Sequence, residues 1–300
     1  MPAANDDQST TGDTLLGVIG GSGLYQMEAL EDAERVELST PFGEPSDHYV
    51  VGRIGAQKVA FLPRHGVGHR ISPSEINFRA NIHGFKQLGA DAVLAISAVG
   101  SLREEIAPGD VVVPDQFIDR TKGRISTFFT GGVVAHVSFA DPFCAPMSNR
   151  LADCAREAGA TVHEGGTYVC MEGPQFSTRA ESNLYRSWEA HIIGMTNLQE
   201  AKLAREAEMC FATLALATDY DCWRDSGGDV EITDVLSVLS ANVGLAQEVV
   251  RRLAGAIRTE RSCTCRRALE HAVVTSPQVI SEEVRDRVAL LLERVSGRGE

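Results

Sequence analysis

Short apolar runs alternate along the chain with stretches in which apolar residues recur at helical spacing. The runs with the length and flanking turn residues of buried strands are residues 15–19, 59–62, 93–96, 111–113, 168–171 and 210–217. Continuous apolar runs are typical of strands that are buried on both faces of a largely parallel sheet. Their alternation with helices, without repeats or a linker, predicts a single α/β domain.

Capping patterns predict where helices begin. The segment Ser72-Pro73-Ser74-Glu75 combines a capping box with proline at the first helical position, and Phe78, Ile82 and Phe85 follow on one face. We therefore expect a helix that begins near residue 73. The same capping logic precedes two later helices, through Thr178 with Glu181 and Asn197 with Glu200.

Composition and charge limit the classes of function. The 300 residues are 43% hydrophobic, which is enough to bury a substantial core, and the net charge of -13 disfavours nucleic acid or an anionic membrane as a partner. Residues 1–13 are polar and acidic, which predicts a solvated tail rather than a signal peptide. No stretch approaches eighteen apolar residues. We expect a cytoplasmic protein.

Seven cysteines in a cytosolic chain are most simply buried thiols. The exception is Cys263-Thr264-Cys265, where redox activity or a staple for the tail are the alternatives. One intervening residue is not the usual spacing of a structural zinc pair, and no second Cys or His pair lies nearby at such a spacing. The sequence therefore predicts no metal site.

Two carboxylates, Asp219 and Asp221, follow directly after the long apolar run that ends at residue 217. If the strand geometry persists, both side chains point the same way, and a like-charged pair in a partly dry cleft holds a proton tightly. Such a pair can donate one hydrogen bond and accept another, as a 6-aminopurine edge requires. The alternative is that these residues form a turn or cap a helix.

Several loops after predicted strands carry groups suited to an anion. Gly20-Gly21-Ser22-Gly23 can turn backbone N–H groups and a hydroxyl toward a phosphate, or can be an ordinary tight turn. In the segment from Arg64-His65 to Arg70, arginine forks suit phosphate oxygens; a basic surface loop or a histidine metal site are the alternatives. Ser97-Ala98 and Met195-Thr196 offer further donors, or simple caps.

Taken together, these segments resemble the trimeric purine nucleoside phosphorylase family, and within it the enzymes that cleave methylthioadenosine. The resemblance runs from about residue 16 to residue 253, and it implies a single-domain α/β fold with a mixed central sheet flanked by helices. The motifs that carry it, in order, are Gly20-Gly21-Ser22-Gly23-Leu24, Arg64-His65-Gly66, Gly100-Ser101-Leu102-Arg103-Glu104-Glu105, Asp115-Gln116-Phe117-Ile118-Asp119-Arg120-Thr121, residues 172–181 from Glu172 to Glu181, and residues 218–223.

The resemblance implies a role for each matching residue. The phosphate site would consist of Ser22, Arg64, His65, Ser97, Ala98 and Thr196. Met195 would lie against the ribose, Phe176 and Tyr220 would contact the substrate, and Asp219 with Asp221 would recognise a 6-aminopurine. Relatives that are specific for 6-oxopurines carry Asn instead, so adenine is favoured.

The resemblance also implies an apolar 5′ pocket and a shared site. Ile232, Val235 and Leu236 stand where the methylthio enzymes have apolar side chains, and Ile232 replaces the His that binds a 5′-hydroxyl in ordinary nucleoside phosphorylases. Ser177 is a second specificity position. His136 resembles a residue that reaches the site of the neighbouring subunit, so we expect a homo-oligomer, either a trimer or a dimer of trimers.

The implied reaction is phosphorolysis of 5′-methylthioadenosine to adenine and 5-methylthioribose 1-phosphate, with Asp219 as the general acid. No metal or organic cofactor is required, because inorganic phosphate is a co-substrate. The alternatives are a broad-specificity phosphorylase that also cleaves adenosine and inosine, a nucleosidase that uses water, and a silent nucleoside-binding protein. We expect residues 14–257 to form the catalytic domain and residues 258–300 an extension that packs on or beside it.

Two features depart from the common family pattern. Gln199 stands before Glu200 where the family usually has Pro, and we expect only a small local change because Asn197 can still cap the helix. The tail with Cys263 and Cys265 resembles the cysteine-containing tails of archaeal relatives, some of which are disulfide-stabilised hexamers. Cys144 and Cys210 lie at positions that can pair in those relatives.

Overall fold

The computed structural model describes residues 14–21, 23–24, 26–224, 232–257 and 262–296. The strands are β1 (Leu15–Gly20), β2 (Glu31–Val36), β3 (Tyr49–Ile54), β4 (Gln57–Pro63), β5 (Ala90–Ser101), β6 (Val111–Val113), β7 (Gln116–Arg120), β8 (Val162–Glu164), β9 (Thr167–Met171), β10 (Ile192–Gly194) and β11 (Cys210–Asp219). The helices are α1 (Phe78–Gln87), α2 (Ala145–Glu157), α3 (Arg179–Ser187), α4 (Leu198–Glu206), α5 (Ile232–Ala256) and α6 (Glu282–Ser296), with short 3₁₀ turns at Cys265–Arg267 and Pro277–Val279.

All of these strands belong to one mixed sheet. Strand β1 runs parallel to β4 on one side and β5 on the other, and β5 also pairs in parallel with β11. Strand β10 pairs antiparallel with the end of β5, at Ile193 opposite Gly100. The expected α/β fold with a mixed central sheet is confirmed, and each of the predicted strands lies within an observed one.

Alternation along the central strands divides the core between the two faces of the sheet. In β1, Leu15 and Ile19 pack on one face with α1, α4 and α6, whereas Leu16 and Val18 pack on the other with α2 and α5. This follows from the two-residue period of a strand. Helices therefore cover both faces of the sheet.

Close packing at the centre of β1 depends on Gly17. A Cβ at this position would lie 2.7 Å from the ring of Phe85, so α1 can approach β1 only if residue 17 has no side chain. Phe78, Ile82 and Phe85 all lie buried on one face of α1, as the sequence predicted.

The predicted start of α1 near residue 73 is wrong. The Ser72 N–H and hydroxyl both donate to the Glu75 carboxylate, but these bonds close an isolated turn, and the helix begins at Phe78. Its cap is Asn77, whose side chain accepts a hydrogen bond from the Ala80 N–H. The backbone bond from Phe78 N–H to the Ile76 carbonyl lies between the turn and the helix, and Asn77 takes over the capping role.

The capping box predicted at Thr178 and Glu181 is confirmed at the start of α3. The box predicted at Asn197 and Glu200 is wrong, although α4 does begin after Asn197. Asn197 has a φ of 80° and its side chain makes no cap bond, because both its oxygen and the Glu200 carboxylate bind Arg64 instead.

The segment after residue 261 packs on the domain. Leu269, Val284, Val288 and Leu291 enter the same apolar cluster as α1, and Asp91 binds Arg266 at 2.7 Å and Arg294 at 3.1 Å. Among the described helices, none combines the length and the apolar character that crossing a bilayer requires.

Candidate active site

Arg64 joins the ends of three neighbouring strands. Its N–H donates to the Gly20 carbonyl at the end of β1 at 2.9 Å, Nη1 donates to the Ile96 carbonyl of β5 at 2.9 Å, and Nη2 lies 3.3 Å from the Ile19 carbonyl. The residue follows β4 directly and is only 3% exposed. The guanidinium therefore lies at the carboxyl edge of the parallel part of the sheet, where ligands bind in folds of this kind.

A buried ion pair holds this guanidinium in place. Nε of Arg64 lies 2.5 Å from Oε1 of Glu200, and Nη2 lies 3.0 Å from Oε2. Glu200, in the first turn of α4, is fully buried. A charge buried in this way needs a partner, so Glu200 neutralises and orients Arg64.

His65 is neutral in the ordinary pH range. Burial, followed by the charge of Arg64, lowers its pKa to about 4. Its Nδ1 donates to the Ile71 carbonyl at 2.8 Å, and its ring stacks on His69 with 4.2 Å between centroids. Nε2 is thus left as a hydrogen-bond acceptor.

Two further groups of predicted phosphate ligands lie close to one another, namely Ser97 with Ala98 and Met195 with Thr196. Ser97 is buried, and its Oγ lies 3.4 Å from the hydroxyl of Tyr168 and 3.2 Å from the Ala98 carbonyl. Strand β10 runs antiparallel to β5, so Met195 and Thr196, which follow β10, run back along the segment that contains Ser97. Ser22 lies outside the described residues.

Asp219 and Asp221 meet, but not through strand geometry. Strand β11 ends at Asp219, and Asp221 has a left-handed backbone with a φ of 49°, so the expected alternation is wrong. A turn brings the two together instead: the Asp221 N–H donates to Oδ1 of Asp219 at 2.7 Å, while Thr218 donates to Oδ2 at 2.7 Å. Oδ2 of Asp221 is buried and has no hydrogen-bond partner among the described residues.

Both carboxyl groups hold protons more tightly than an exposed Asp. Burial raises the pKa of Asp219, and burial followed by the charge of Asp219 raises the pKa of Asp221. Gly100 keeps the space beside them open, because a Cβ there would lie 3.0 Å from Oδ1 of Asp219 and 3.1 Å from Ile193. The pair can therefore donate one hydrogen bond and accept another.

The segment that contains Ser177 lies against this turn. The Ser177 carbonyl accepts a bond from the Cys222 thiol at 3.2 Å, and its hydroxyl lies 3.6 Å from Sδ of Met171. Phe176, the neighbouring aromatic, is 42% exposed. Tyr220 reaches the other way, with its hydroxyl 3.4 Å from the Glu104 carbonyl.

Sequence reasoning missed Arg124. Its buried guanidinium donates to the carbonyl of Met195 at 2.6 Å and to the carbonyl of Glu172, and it forms an ion pair with the Glu172 carboxylate at 3.3 Å. Gln199, at the position where proline is usual, lies 3.4 Å from the same guanidinium and donates to Thr121 at 2.9 Å. Nothing in the loop sequence around Arg124 marks it for this role.

The remaining predicted residues lie on other segments of the chain. His136 is exposed, and its backbone N–H donates to the Ala272 carbonyl at 2.8 Å. Ile232, Val235 and Leu236 lie along the first turns of α5, and their side chains are outside the described part.

The family model of the phosphorylase superfamily matches residues 15–254. The chain belongs to this superfamily. Among curated relatives, it is 54% identical to the S-methyl-5′-thioadenosine phosphorylase of Geobacter sulfurreducens, over 93% of this chain and 98% of that one. It is 53% identical to the enzyme of the same name from Koribacter versatilis, over 94% and 97% of the two chains.

Solved structures of methylthioadenosine phosphorylases are also similar to this chain. A methylthioadenosine phosphorylase from an antarctic soil metagenomic library superposes with a TM-score of 0.89 at 48% identity, over 94% of this chain and all of that one. A variant of the adenosine/methylthioadenosine phosphorylase of Schistosoma mansoni, in complex with methylthioadenosine, superposes with a TM-score of 0.79 at 33% identity, over 93% and 98% of the two chains.

Proposed function

We propose that this chain catalyses the phosphorolysis of 5′-methylthioadenosine to adenine and 5-methylthio-α-D-ribose 1-phosphate. The single observation that carries the proposal is the buried pair of Asp219 and Asp221, whose pKa values are raised at the same sheet edge as Arg64. Relatives over nearly the full length of the chain bear the name of this activity.

Asp219 and Asp221 bind the adenine. One carboxyl group, kept protonated by burial, donates to N7 of the purine, and the other accepts from the exocyclic amine. The buried Oδ2 of Asp221 supports this, since it has no hydrogen-bond partner among the described residues and can accept a hydrogen bond from a ligand. A 6-oxopurine offers an acceptor where this pair needs a donor.

Phosphate binds among Arg64, Ser97, Ala98 and Thr196, with Ser22 and His65 beside them. Local donors are needed because the chain carries a net charge of -13 and cannot attract phosphate by its overall field. The neutral His65 presents Nε2 as an acceptor, which suits the remaining hydroxyl of a monohydrogen phosphate.

The remaining residues contact the nucleoside and its 5′ group. Met195 lies under the ribose, Phe176 and Tyr220 contact the nucleoside, and the apolar side chains of Ile232, Val235 and Leu236 take the methylthio group. Burying an unpaired 5′-hydroxyl there would cost about 1 to 3 kcal/mol, which favours the methylthio substrate over adenosine. Ser177 is a second specificity position.

The site is completed by a neighbouring subunit in a homotrimer or a dimer of trimers. His136 is the residue that reaches across, and its exposure in the isolated chain supports this role. Residues 14–257 form the catalytic domain, flanked by the tail 1–13 and the extension 258–300. We place the enzyme in the cytoplasm.

The reaction balances without a metal or an organic cofactor. A phosphate oxygen attacks C1′ as the bond to N9 breaks, and the electron pair of that bond passes to the purine. Asp219 then neutralises the leaving adenine by giving its proton to N7. Phosphate is already held beside C1′ before the attack, so it stabilises the oxocarbenium character that develops at that carbon.

One assay tests the proposal: adenine or hypoxanthine release from methylthioadenosine, adenosine and inosine, each with and without phosphate. We expect phosphate-dependent release with methylthioadenosine as the preferred substrate. Comparable kcat/KM for all three would indicate a broad-specificity phosphorylase. Release without phosphate would indicate a hydrolase, and no release in any condition would leave only a binding protein.

A further inference from the structure

Four cysteines that are far apart in the sequence meet at the opposite end of the sheet from the active site. The sulfur atoms of Cys144, Cys210, Cys263 and Cys265 all lie within 4.8 Å of one another. Cys210 begins β11 and Asp219 ends it, so the two sites are about 30 Å apart at the usual rise of a strand. The phosphorolysis chemistry uses none of the four.

Their spacing suits a single ion. A tetrahedral zinc with Zn–S bonds of about 2.3 Å holds its sulfurs roughly 3.8 Å apart. The Sγ atoms of Cys210 and Cys263 are 3.4 Å apart, well beyond the roughly 2.05 Å of a disulfide. All four are free thiols in this structure, and each sulfur lies within 4.8 Å of the other three.

The surroundings favour a thiophilic ion. A cavity of about 170 Å³ leads to the sulfurs of Cys144, Cys210 and Cys263, and its lining within the described residues contains no carboxylate. Its other polar walls include Arg150, whose charge offsets the excess negative charge of a tetrathiolate site. Sites made of sulfur alone select zinc over magnesium or calcium.

One member of the cluster lies at the start of a helix. Cys144 is the N-cap of α2, where the positive end of the helix dipole stabilises a negative sulfur. A metal needs deprotonated ligands, so the helix N-terminus at Cys144 favours metal binding.

We propose that Cys144, Cys210, Cys263 and Cys265 form a structural zinc site that clips the C-terminal extension to the sheet. All four positions of the ion are filled by protein, so the site leaves no place for a substrate and its role is structural. It joins the start of α2, the start of β11 and the segment after residue 261. The metal-binding free energy adds to the stability of the folded chain.

The first test uses the wild-type protein, purified under reducing conditions without chelator. We expect one zinc per chain by elemental analysis, released when a mercurial reagent titrates the thiols. Replacement by Co²⁺ should give thiolate-to-metal charge-transfer bands and the visible bands of a tetrahedral site. Two disulfides by mass spectrometry, or four reduced thiols that bind no zinc, would each overturn the proposal.

The second test uses matched variants. Cys263→Ser should weaken zinc binding by more than the roughly 10- to 100-fold that outer-shell changes cost, while kcat stays unchanged. Cys154→Ser removes another buried thiol of α2 that lies outside the cluster, and it should keep one zinc per chain. A strong chelator should lower the Tm of the wild type and of Cys154→Ser but not that of Cys263→Ser. Equal chelator effects on all three would contradict the proposal.

Discussion

The backbone N–H of Asp221 donates a 2.7 Å hydrogen bond to Oδ1 of Asp219. Asp221 makes this bond from a left-handed backbone conformation, with a φ of 49°, that Asp and Asn tolerate better than most residues. The turn thereby brings a second carboxyl group beside the end of β11, and in the described part of the chain its Oδ2 has no hydrogen-bond partner. Because Asp219 and Asp221 make different contacts, separate substitutions can test the role of each residue.

Asp219→Asn should lower kcat with methylthioadenosine by about 10²- to 10⁴-fold, the usual contribution of a general acid. The KM for phosphate should change little, because Arg64 and Thr196 are untouched. The matched variant is Asp221→Asn, which keeps the turn because Asn also adopts the left-handed conformation. Steady-state kinetics that show equal losses in both variants, or wild-type turnover in Asp219→Asn, would remove Asp219 as the acid.

Asp219→Asn should also be more stable than the wild type at pH 8. Burial raises the pKa of Asp219 in the folded chain, so its contribution to stability is full below the pKa of the unfolded state and is lost as the pH rises through the folded value. Asn removes that loss. Thermal unfolding at pH 3.5, below the ordinary Asp pKa of 3.8, and at pH 8 should therefore show a gain for Asp219→Asn that is larger at pH 8; a gain independent of pH would contradict this account.

Glu200→Gln should destabilise the protein by about 3 kcal/mol, because it leaves the Arg64 charge buried without a counter-charge. Phosphate should recover part of that loss by taking over as the partner of Arg64. We expect the rise in Tm on adding phosphate to be larger in Glu200→Gln than in the wild type.

The control for this effect is Glu206→Gln on the same helix, where the buried carboxylate binds Thr127 and the Phe128 N–H. It should also lower the Tm, but the phosphate-induced rise should match that of the wild type. If Glu200→Gln and Glu206→Gln respond equally to phosphate, Arg64 is not a phosphate ligand.

His65 should make stability depend on pH below neutrality. Its pKa falls from 6.5 to about 4 on folding, so the unfolded chain binds more protons between those values and stability falls as the pH is lowered through that window. Relative to His65→Gln, the wild type should lose up to about 3 kcal/mol between pH 7 and pH 4, by denaturant unfolding. The exposed His271 is the control: His271→Gln should follow the wild-type pH profile. A His65→Gln profile parallel to the wild type would refute the assignment.

Ile232→His should raise kcat/KM for adenosine relative to methylthioadenosine, because an imidazole can pair with a 5′-hydroxyl that an apolar wall leaves unsatisfied. The exposed Ser240 lies farther along α5, so Ser240→His serves as the control and should leave the ratio unchanged. An unchanged ratio in Ile232→His would place the 5′ pocket elsewhere.

Arg124→Lys should raise the KM for the nucleoside by about tenfold, while the KM for phosphate stays near the wild-type value. A single ammonium cannot replace a planar fork that binds the carbonyls of Met195 and Glu172 together. Arg103→Lys, which alters an arginine bound to the Glu189 carbonyl, is the control. A similar rise in both Michaelis constants would show a general loss of structure instead.

The strands and the chemistry of the site were readable from local patterns. Runs such as residues 210–217 predict buried strands because burial on both faces needs only consecutive apolar side chains, and β11 extends over that run. The residue types that suit an anion or a purine edge are likewise visible in the loops that follow those strands. The capping box of Thr178 and Glu181 was predictable because its partners are three residues apart.

Contacts between distant segments could not be read in this way, since no local pattern encodes them. Asn197 and Glu200 have the form of a helix cap, yet the buried charge of Arg64 takes both side chains. Arg124 acquires its partners only when its loop folds over Glu172 and Met195.

The four cysteines of the proposed zinc site show the same division. Spacing along the chain argued against a metal, because Cys263 and Cys265 are separated by one residue and have no nearby partner pair. The start of α2, the start of β11 and the C-terminal segment meet only in the folded chain, and their sulfurs then lie within 4.8 Å of one another. Residue types and strand positions follow from local sequence, whereas the partners of each buried charge and thiol depend on which segments the fold brings together.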